Sequence, residues 1–324
     1  SPRRAPRRDG AHPMSAHNQP PAEAVADLPV AATVVGAFAS VAGQLALVGQ
    51  AAKGAIALLA AAIALSLILP AGGASNLFLI LVGFAATAHF GLNWCRVMLL
   101  GPAGLPARGL GWHQPHWRFF GYGMLLFLVM MLSTLPMTAI GSVIAGALGL
   151  AGTPGAAGPR IMIVLLLVFL GMLYVIARFG FIFPAVAVEE NYSLRLAWQH
   201  SAGQGGRMVG ALFAAGFPIA VAQILLTFLL SNALLGVSPS EMLLTLPEPG
   251  AEMPAPIENR EPPSIIAVLV FNVLAAVANF LSFAVLFSLL SLAFRACTGW
   301  VPAMPGNLPA APGGEGPGTS GTGR

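Results

Sequence analysis

The chain has 324 residues, of which 57% are apolar and only 8% are charged, and its formal net charge is +4. A soluble domain usually carries about a quarter charged residues. A soluble protein of this length could not bury so much apolar surface, so lipid must surround most of the chain. The composition therefore excludes a water-soluble globular domain and predicts an all-α integral membrane protein.

The N-terminal region divides into a polar tail and an apolar segment. Residues 1–29 carry four arginines and predict a disordered basic tail without a signal peptide, in which Met14 is a candidate for the true start. Residues 30–52 are apolar but diluted by glycine, serine, threonine and glutamine, and Lys53 follows without a turn. We interpret 30–52 as an interfacial amphipathic helix. The alternative is a seventh span, which would place the N-terminus outside.

Charged residues and turn sequences divide the rest of the chain into six apolar segments. Five of the six exceed the ~20 residues that cross ~30 Å of hydrocarbon, and the first, with 17 residues, lies at the short end of the usual range. The predicted spans are 53–69, 76–98, 119–148, 161–183, 208–235 and 264–294. We therefore predict a six-helix transmembrane domain over 53–297, with short interfacial helices on the cytoplasmic side. A disordered tail rich in proline and glycine should follow at 298–324.

The basic residues indicate the orientation of these spans. Of the 15 basic residues, all but Arg160 and Arg260 fall on one side of the predicted membrane. Such a bias predicts that both termini lie in the cytoplasm. The abundance of alanine, glycine and proline favours a bacterial source, and hence the bacterial inner membrane. Cys95 and Cys297 have neither metal-ligand nor disulfide spacing, and no cofactor is predicted.

The segment between the fourth and fifth spans is "RFGFIFPAVAVEENYSLRLAWQHSAGQGGR" (178–207). Pro184 should end or kink the fourth helix. Ser193 is a plausible N-cap for a short amphipathic helix that Gly203 stops. We expect Glu189 and Glu190 to form a solvated turn or an ion pair with Arg178 or Arg195. The candidate contact residues of this cytoplasmic elbow are Arg178, Glu189, Glu190, Arg195, Trp198 and Arg207.

A family resemblance rests on the same segment. The pattern is carried by Pro184, Ser193, Ala197, Trp198, Ser201 and Arg207. It resembles the loop between the fourth and fifth helices in a group of uncharacterised bacterial multi-pass inner-membrane proteins. That group is similar to the membrane domain appended to some glycerophosphodiester phosphodiesterases. The resemblance implies a fold and no reaction, because the phosphodiesterase domain is absent from this sequence.

Enzymatic motifs are poorly matched. Glu189, Glu190 and the His89-x-x-x-Asn93 spacing suggest an intramembrane protease of the prenyl-protein-processing kind. The motif of those proteases has three residues between its second glutamate and its arginine, whereas four residues separate Glu190 from Arg195. The extra residue moves the arginine to another face of the helix. The sequence also has no H-E-x-x-H motif, no phosphate-binding loop and no nucleophile elbow. We therefore predict no catalytic residue, no metal ligand and no enzymatic activity.

Polar residues within the predicted spans form a second candidate site. The possible intramembrane cluster consists of His89, Asn93, Gln223, Asn272 and Asn279. Such groups should point into the bundle, where they either join helices by hydrogen bonds or line a solute path. The first interpretation favours a non-enzymatic accessory or scaffolding protein whose elbows engage lipid or a partner. The alternative is a small-solute permease or channel. The expected partners are membrane lipids and another membrane or cytoplasmic protein, and not nucleic acid.

Overall fold

A computed structural model describes residues 27–66, 73–105, 111–148, 157–190, 192–236 and 264–301, and every regular element in these ranges is a helix. The all-α prediction is confirmed for this part of the chain. A 3-10 turn covers Pro102–Gly104. The α-helices are α1 (Val30–Gly43), α2 (Leu45–Ser66), α3 (Gly73–Leu100), α4 (Gln114–Ala147), α5 (Ala157–Phe179), α6 (Ile182–Ala187), α7 (Leu194–His200), α8 (Gly205–Leu235) and α9 (Ile265–Thr298).

Five of these helices, within the described ranges, are long and apolar enough to cross a membrane: α2, α3, α4, α8 and α9. The chain is therefore a multi-pass membrane protein. The fourth predicted span corresponds to α5, which is not among these five helices. A sixth span through α5 remains a prediction. The predicted disordered tails fall almost wholly outside the described residues.

The segment 30–52 is not one helix, which differs from the prediction. The chain breaks at Gln44, where φ is −130° and ψ is 31°, and α2 then runs without interruption through Lys53. The carbonyl oxygen of Gln44 already accepts hydrogen bonds from the backbone N–H groups of Leu47 and Val48, so α2 begins immediately after the break. Gly43 weakens the helix at this point because glycine loses more conformational entropy on entering a helix than other residues do.

The fourth predicted span also ends earlier than expected. Helix α5 stops at Phe179, and Pro184 lies in the first turn of α6, where its missing N–H is not needed. The turn occurs at Gly180. A Cβ atom there would lie 2.6 Å from the carbonyl oxygen of Ile176 and 2.8 Å from Leu290 Cδ2, so only glycine fits.

The hydrophobic core lies at one end of the bundle, which we call the basic end because it carries Arg96, Arg178, Arg207 and Arg295. We call the opposite end the distal end. Buried apolar side chains occupy 86–99 in α3, 208–215 in α8 and 280–297 in α9, whereas almost all side chains in the distal halves of these helices are exposed or half-buried. Packing is therefore concentrated at the basic end, and the distal halves offer their apolar surface to lipid.

Helices α3 and α9 form the centre of this core. The indole Nε1 of Trp94, which is fully buried, donates to the carbonyl oxygen of Ala284 at 2.9 Å and to Ser288 Oγ at 2.8 Å. One turn closer to the distal end, the rings of Phe90 and Phe280 pack with centroids 5.1 Å apart. Side-chain packing and hydrogen bonds thus fix the register of the two helices.

Candidate functional site

The elbow contains the short amphipathic helix that its sequence predicts. Ser193 is the N-cap of α7, and its side chain accepts a hydrogen bond from the backbone N–H of Leu196 at 3.2 Å. Gly203 has a φ of +80°, which glycine adopts without steric cost, and it lies shortly after the end of the helix. Ala197 and Ser201 are buried. Local sequence signals therefore locate this helix correctly.

Arg178 joins α5 to α7 through its buried guanidinium group, which leaves the residue only 8% exposed. Arg178 Nη1 donates to the carbonyl oxygen of Ser201 at 2.9 Å, and Ser201 Oγ donates to the carbonyl oxygen of Arg178 at 3.1 Å. The guanidinium carbon lies 3.7 Å from the centroid of the Trp198 ring. The ring face therefore partly compensates for the buried charge.

The glutamates of the elbow bind residues that the sequence did not suggest. Glu189 Oε1 lies 2.7 Å from Arg96 Nη2, and Arg96 Nε also donates to the carbonyl oxygen of Ala187 at 2.9 Å. Glu190 Oε1 accepts from Trp300 Nε1 at 3.2 Å. The predicted partners of Glu189, Arg178 or Arg195, are therefore wrong, because the turn after α6 directs this carboxylate towards α3.

Arg207 ties the start of α8 to the residues before α1. Its Nη1 and Nη2 atoms lie 2.7 and 2.8 Å from the two carboxylate oxygens of Asp27. Gln204 Oε1 accepts from the backbone N–H of Leu28 at 3.3 Å. Arg207 was predicted as a contact residue, whereas Asp27 and Gln204 were not. About 180 residues separate Asp27 from Arg207, and no local sequence pattern indicates a contact between residues so far apart.

Three arginines at the basic end have no ion pair within the described ranges: Arg118, Arg195 and Arg295. Two tryptophans at the same end are exposed, Trp117 by 64% and Trp198 by 41%. Tryptophan and arginine together are typical of the headgroup region of a membrane. This surface therefore presents unpaired positive charge beside aromatic rings.

A tyrosine–histidine pair lies beneath this surface. Tyr192 Oη and His200 Nδ1 are 2.6 Å apart. Burial raises the pKa of Tyr192, with smaller contributions from Cys297 and Glu190, and burial lowers the pKa of His200. Both groups are therefore held in their neutral forms. Neither residue was among the predicted contact residues of the elbow.

The predicted intramembrane cluster is divided into two groups. In the first, Asn93 Nδ2 lies 3.3 Å from His89 Nδ1, and the rings of His116 and Trp112 lie 5.0 and 6.3 Å from the His89 ring. Three buried polar atoms of this group have no hydrogen-bond partner in the described part of the chain: Asn93 Oδ1, Trp112 Nε1 and His116 Nε2. His116 and Trp112 were missed as members because only their packing against α3 identifies them.

The second group comprises Gln223, Asn272 and Asn279, which line a groove of about 620 Å³ between α2, α3, α8 and α9. Gln223 Nε2 donates to Ser282 Oγ at 2.7 Å, and Asn272 Nδ2 donates to the carbonyl oxygen of Val268 at 2.8 Å. His89 and Asn93 do not line this groove. The structure therefore does not bring the five predicted residues into one site.

Neither a metal site nor a similar protein of known function indicates what the chain does. Within the described residues, no group of three or more His, Cys, Asp or Glu side chains is placed to hold a metal ion. Comparisons of the chain with family models, curated proteins and solved structures find no match. The resemblance to the membrane domain of some phosphodiesterases therefore stays a prediction.

Proposed function

We propose that the chain is a non-enzymatic accessory protein of the bacterial inner membrane, with six spans and both termini in the cytoplasm. Its basic end acts as a rigid platform on the anionic inner leaflet. The observation that carries this proposal is the concentration of the buried core, and of the ion pairs of Arg96 and Arg207, at that one end. Such packing holds the elbows in fixed positions relative to the membrane.

The lengths of two helices support this threading. At 1.5 Å per residue, the 23 residues of α5 extend about 35 Å, enough to cross ~30 Å of hydrocarbon. The 14 residues of α1 extend only about 21 Å, which is too short for a span. Because Asp27 and Leu28 bind the start of α8, α1 begins at the basic end. We therefore assign α1 to the inner leaflet.

The unpaired charges of the platform support anionic phospholipid as its partner. Arg96 and Arg207 are neutralised by carboxylates, and Arg178 lies buried against Trp198. The remaining guanidinium groups of Arg118, Arg195 and Arg295 are available to phosphate. A basic residue near an anionic leaflet contributes about 1 kcal/mol of binding. Each of the three should therefore raise the preference for anionic lipid roughly fivefold.

Native mass spectrometry of the protein in mixed nanodiscs tests this proposal. We expect the native chain to retain phosphatidylglycerol in preference to phosphatidylcholine. The triple variant Arg118→Gln, Arg195→Gln and Arg295→Gln should lose this preference. The matched control is Arg160→Gln, which removes a basic residue from the first turn of α5, at the distal end. An unchanged preference in the triple variant would contradict the platform assignment.

Cysteine labelling tests the orientation separately. An Arg195→Cys variant, in a background where Cys95 and Cys297 are replaced by alanine, should react with a membrane-impermeant maleimide only from the cytoplasmic side. Reaction only from the periplasm would invert the threading.

The groove between α2, α3, α8 and α9 favours one alternative, a small-solute permease. A solute flux into reconstituted vesicles that Asn279→Leu abolishes would support this alternative. The platform proposal expects no such flux.

A further inference from the structure

The groove lined by Gln223, Asn272 and Asn279 has the size of a ligand site. Its volume of about 620 Å³ falls within the roughly 300–1,000 Å³ that is usual for small-molecule pockets. The walls around the three carboxamides are apolar except for Thr87, and none of the lining residues is charged. The groove lies between four apolar helices. Its occupant must therefore enter from the lipid, or be a solute small enough to enter from water.

The unpaired hydrogen-bonding groups of the three carboxamides indicate which groups this occupant must carry. One N–H of the Gln223 amide and one N–H of the Asn272 amide are bonded to protein oxygens, whereas the second N–H and the amide oxygen of each have no partner in the described ranges. The side chain of Asn279 likewise makes no hydrogen bond there, and both asparagines are exposed. An unpaired polar group at membrane depth is costly. The free amide oxygens therefore require a ligand that donates hydrogen bonds.

Two apolar crevices adjoin the polar wall. One, of about 180 Å³ between α2 and α9, shares Leu59, Ile63, Asn272 and Ala276 with the groove. The other, of about 210 Å³, continues from Phe84 and Thr87 towards α4 and α5. A molecule with a small polar group in the groove can therefore place an apolar body in a neighbouring crevice without crossing a charged surface.

We propose that this groove binds an uncharged lipid alcohol. Its hydroxyl group donates its single proton to the amide oxygen of Asn279, accepts from the second N–H of Gln223 or Asn272, and leaves the hydrocarbon body in the crevice between α2 and α9. A charged headgroup has no counter-charge among the lining residues. A hydrocarbon or an ether lacks the donor that the amide oxygens require. The proposal goes beyond the platform role, since it concerns a different part of the molecule.

Photo-crosslinking of the full chain in nanodiscs tests the proposal with a matched pair of probes. The first probe is hexadecanol with a diazirine on its chain, and the second is the methyl ether of the same compound. One net hydrogen bond favours the alcohol about fivefold. We therefore expect the alcohol to label the groove at Leu59, Ile63 and Ile80 at least fivefold more than the ether.

Three variants give the residue-level test. Asn279→Leu should reduce labelling by the alcohol to the level of the ether, and Ala276→Phe should block both probes by filling the groove. The matched control is Asn232→Leu, which removes an exposed amide of α8 outside the groove and should label like the native chain.

Specific results would overturn the assignment. Equal labelling by alcohol and ether shows ordinary contact with surrounding lipid, as does unchanged labelling in Asn279→Leu. Absence of labelling at Leu59, Ile63 and Ile80 by either probe would mean that no lipid enters the groove, and it would also overturn the assignment. Should Asn279→Leu fail to fold, the alcohol-to-ether ratio in the native protein decides alone. A change in phosphatidylglycerol retention bears only on the platform, so the two proposals can fail independently.

Discussion

Replacing Trp198 with leucine removes the ring that covers the guanidinium group of Arg178. A cation–π contact is worth about 2 kcal/mol or more when the cation is desolvated, and Arg178 is only 8% exposed. Leucine retains part of the apolar contact of the ring, whose outer face is already exposed. We therefore expect Trp198→Leu to lower the free energy of unfolding by about 2–3 kcal/mol.

A double-mutant cycle isolates the contact from the other roles of each residue. Arg178→Met removes the charge together with the hydrogen bond from Arg178 Nη1 to the carbonyl oxygen of Ser201. The coupling energy between the two substitutions should be about 2 kcal/mol. The assay is unfolding in mixed micelles by titration with sodium dodecyl sulfate, followed by circular dichroism. Trp117→Leu, at a more exposed tryptophan of the same end, is the matched control and should cost under about 1 kcal/mol.

Two results would refute this reasoning. A coupling energy below about 0.5 kcal/mol would mean that the ring does not stabilise the buried charge. Equal losses in Trp198→Leu and Trp117→Leu would mean that the tryptophan acts only through its apolar area.

Three further predictions concern the basic end. Arg96→Met should lower the free energy of unfolding by about 2 kcal/mol and Glu189→Gln by under about 0.5 kcal/mol, because Arg96 is 16% and Glu189 66% exposed; equal losses in the same titration would contradict this. Gly180→Ala should cost about 1–3 kcal/mol, because its Cβ would overlap the carbonyl oxygen of Ile176, and an unchanged thermal midpoint would disprove the clash. Because burial lowers the pKa of His200 in the folded state, the unfolded state binds more protons, and stability should fall as the pH drops below about 6.5; a pH profile of unfolding that is identical in His200→Gln would exclude this contribution.

Much of the fold could be predicted from local sequence signals. Long apolar runs without charge located the five helices that can cross a membrane. Ser193 marked the start of α7, and Gly203 marked the turn that follows its end, because capping and turn chemistry depend on residues that are close in the chain. The break at Gln44 was missed because the apolar composition continues on both sides of it, and only the backbone geometry distinguishes α1 from α2.

The contents of the candidate site were harder to predict. Helical periodicity correctly placed His89 and Asn93 on one face of α3, but it does not give the depth at which each face meets another helix. Gln223 therefore binds Ser282 of α9, whereas His89 packs against His116 of α4. The ion pair between Arg96 and Glu189 was missed for the same reason, since 93 positions separate the two residues.

The unequal packing of the two ends has a mechanical consequence. Asp27 and Trp300, near the two limits of the described chain, are both fastened to the basic end, through Arg207 and Glu190. A force that is applied at Asp27 or Trp300 by a motor protease must first break the most tightly packed part of the described chain. Extraction should therefore begin with one large force peak and continue with weak ones, because the distal halves of the helices have few contacts left to resist.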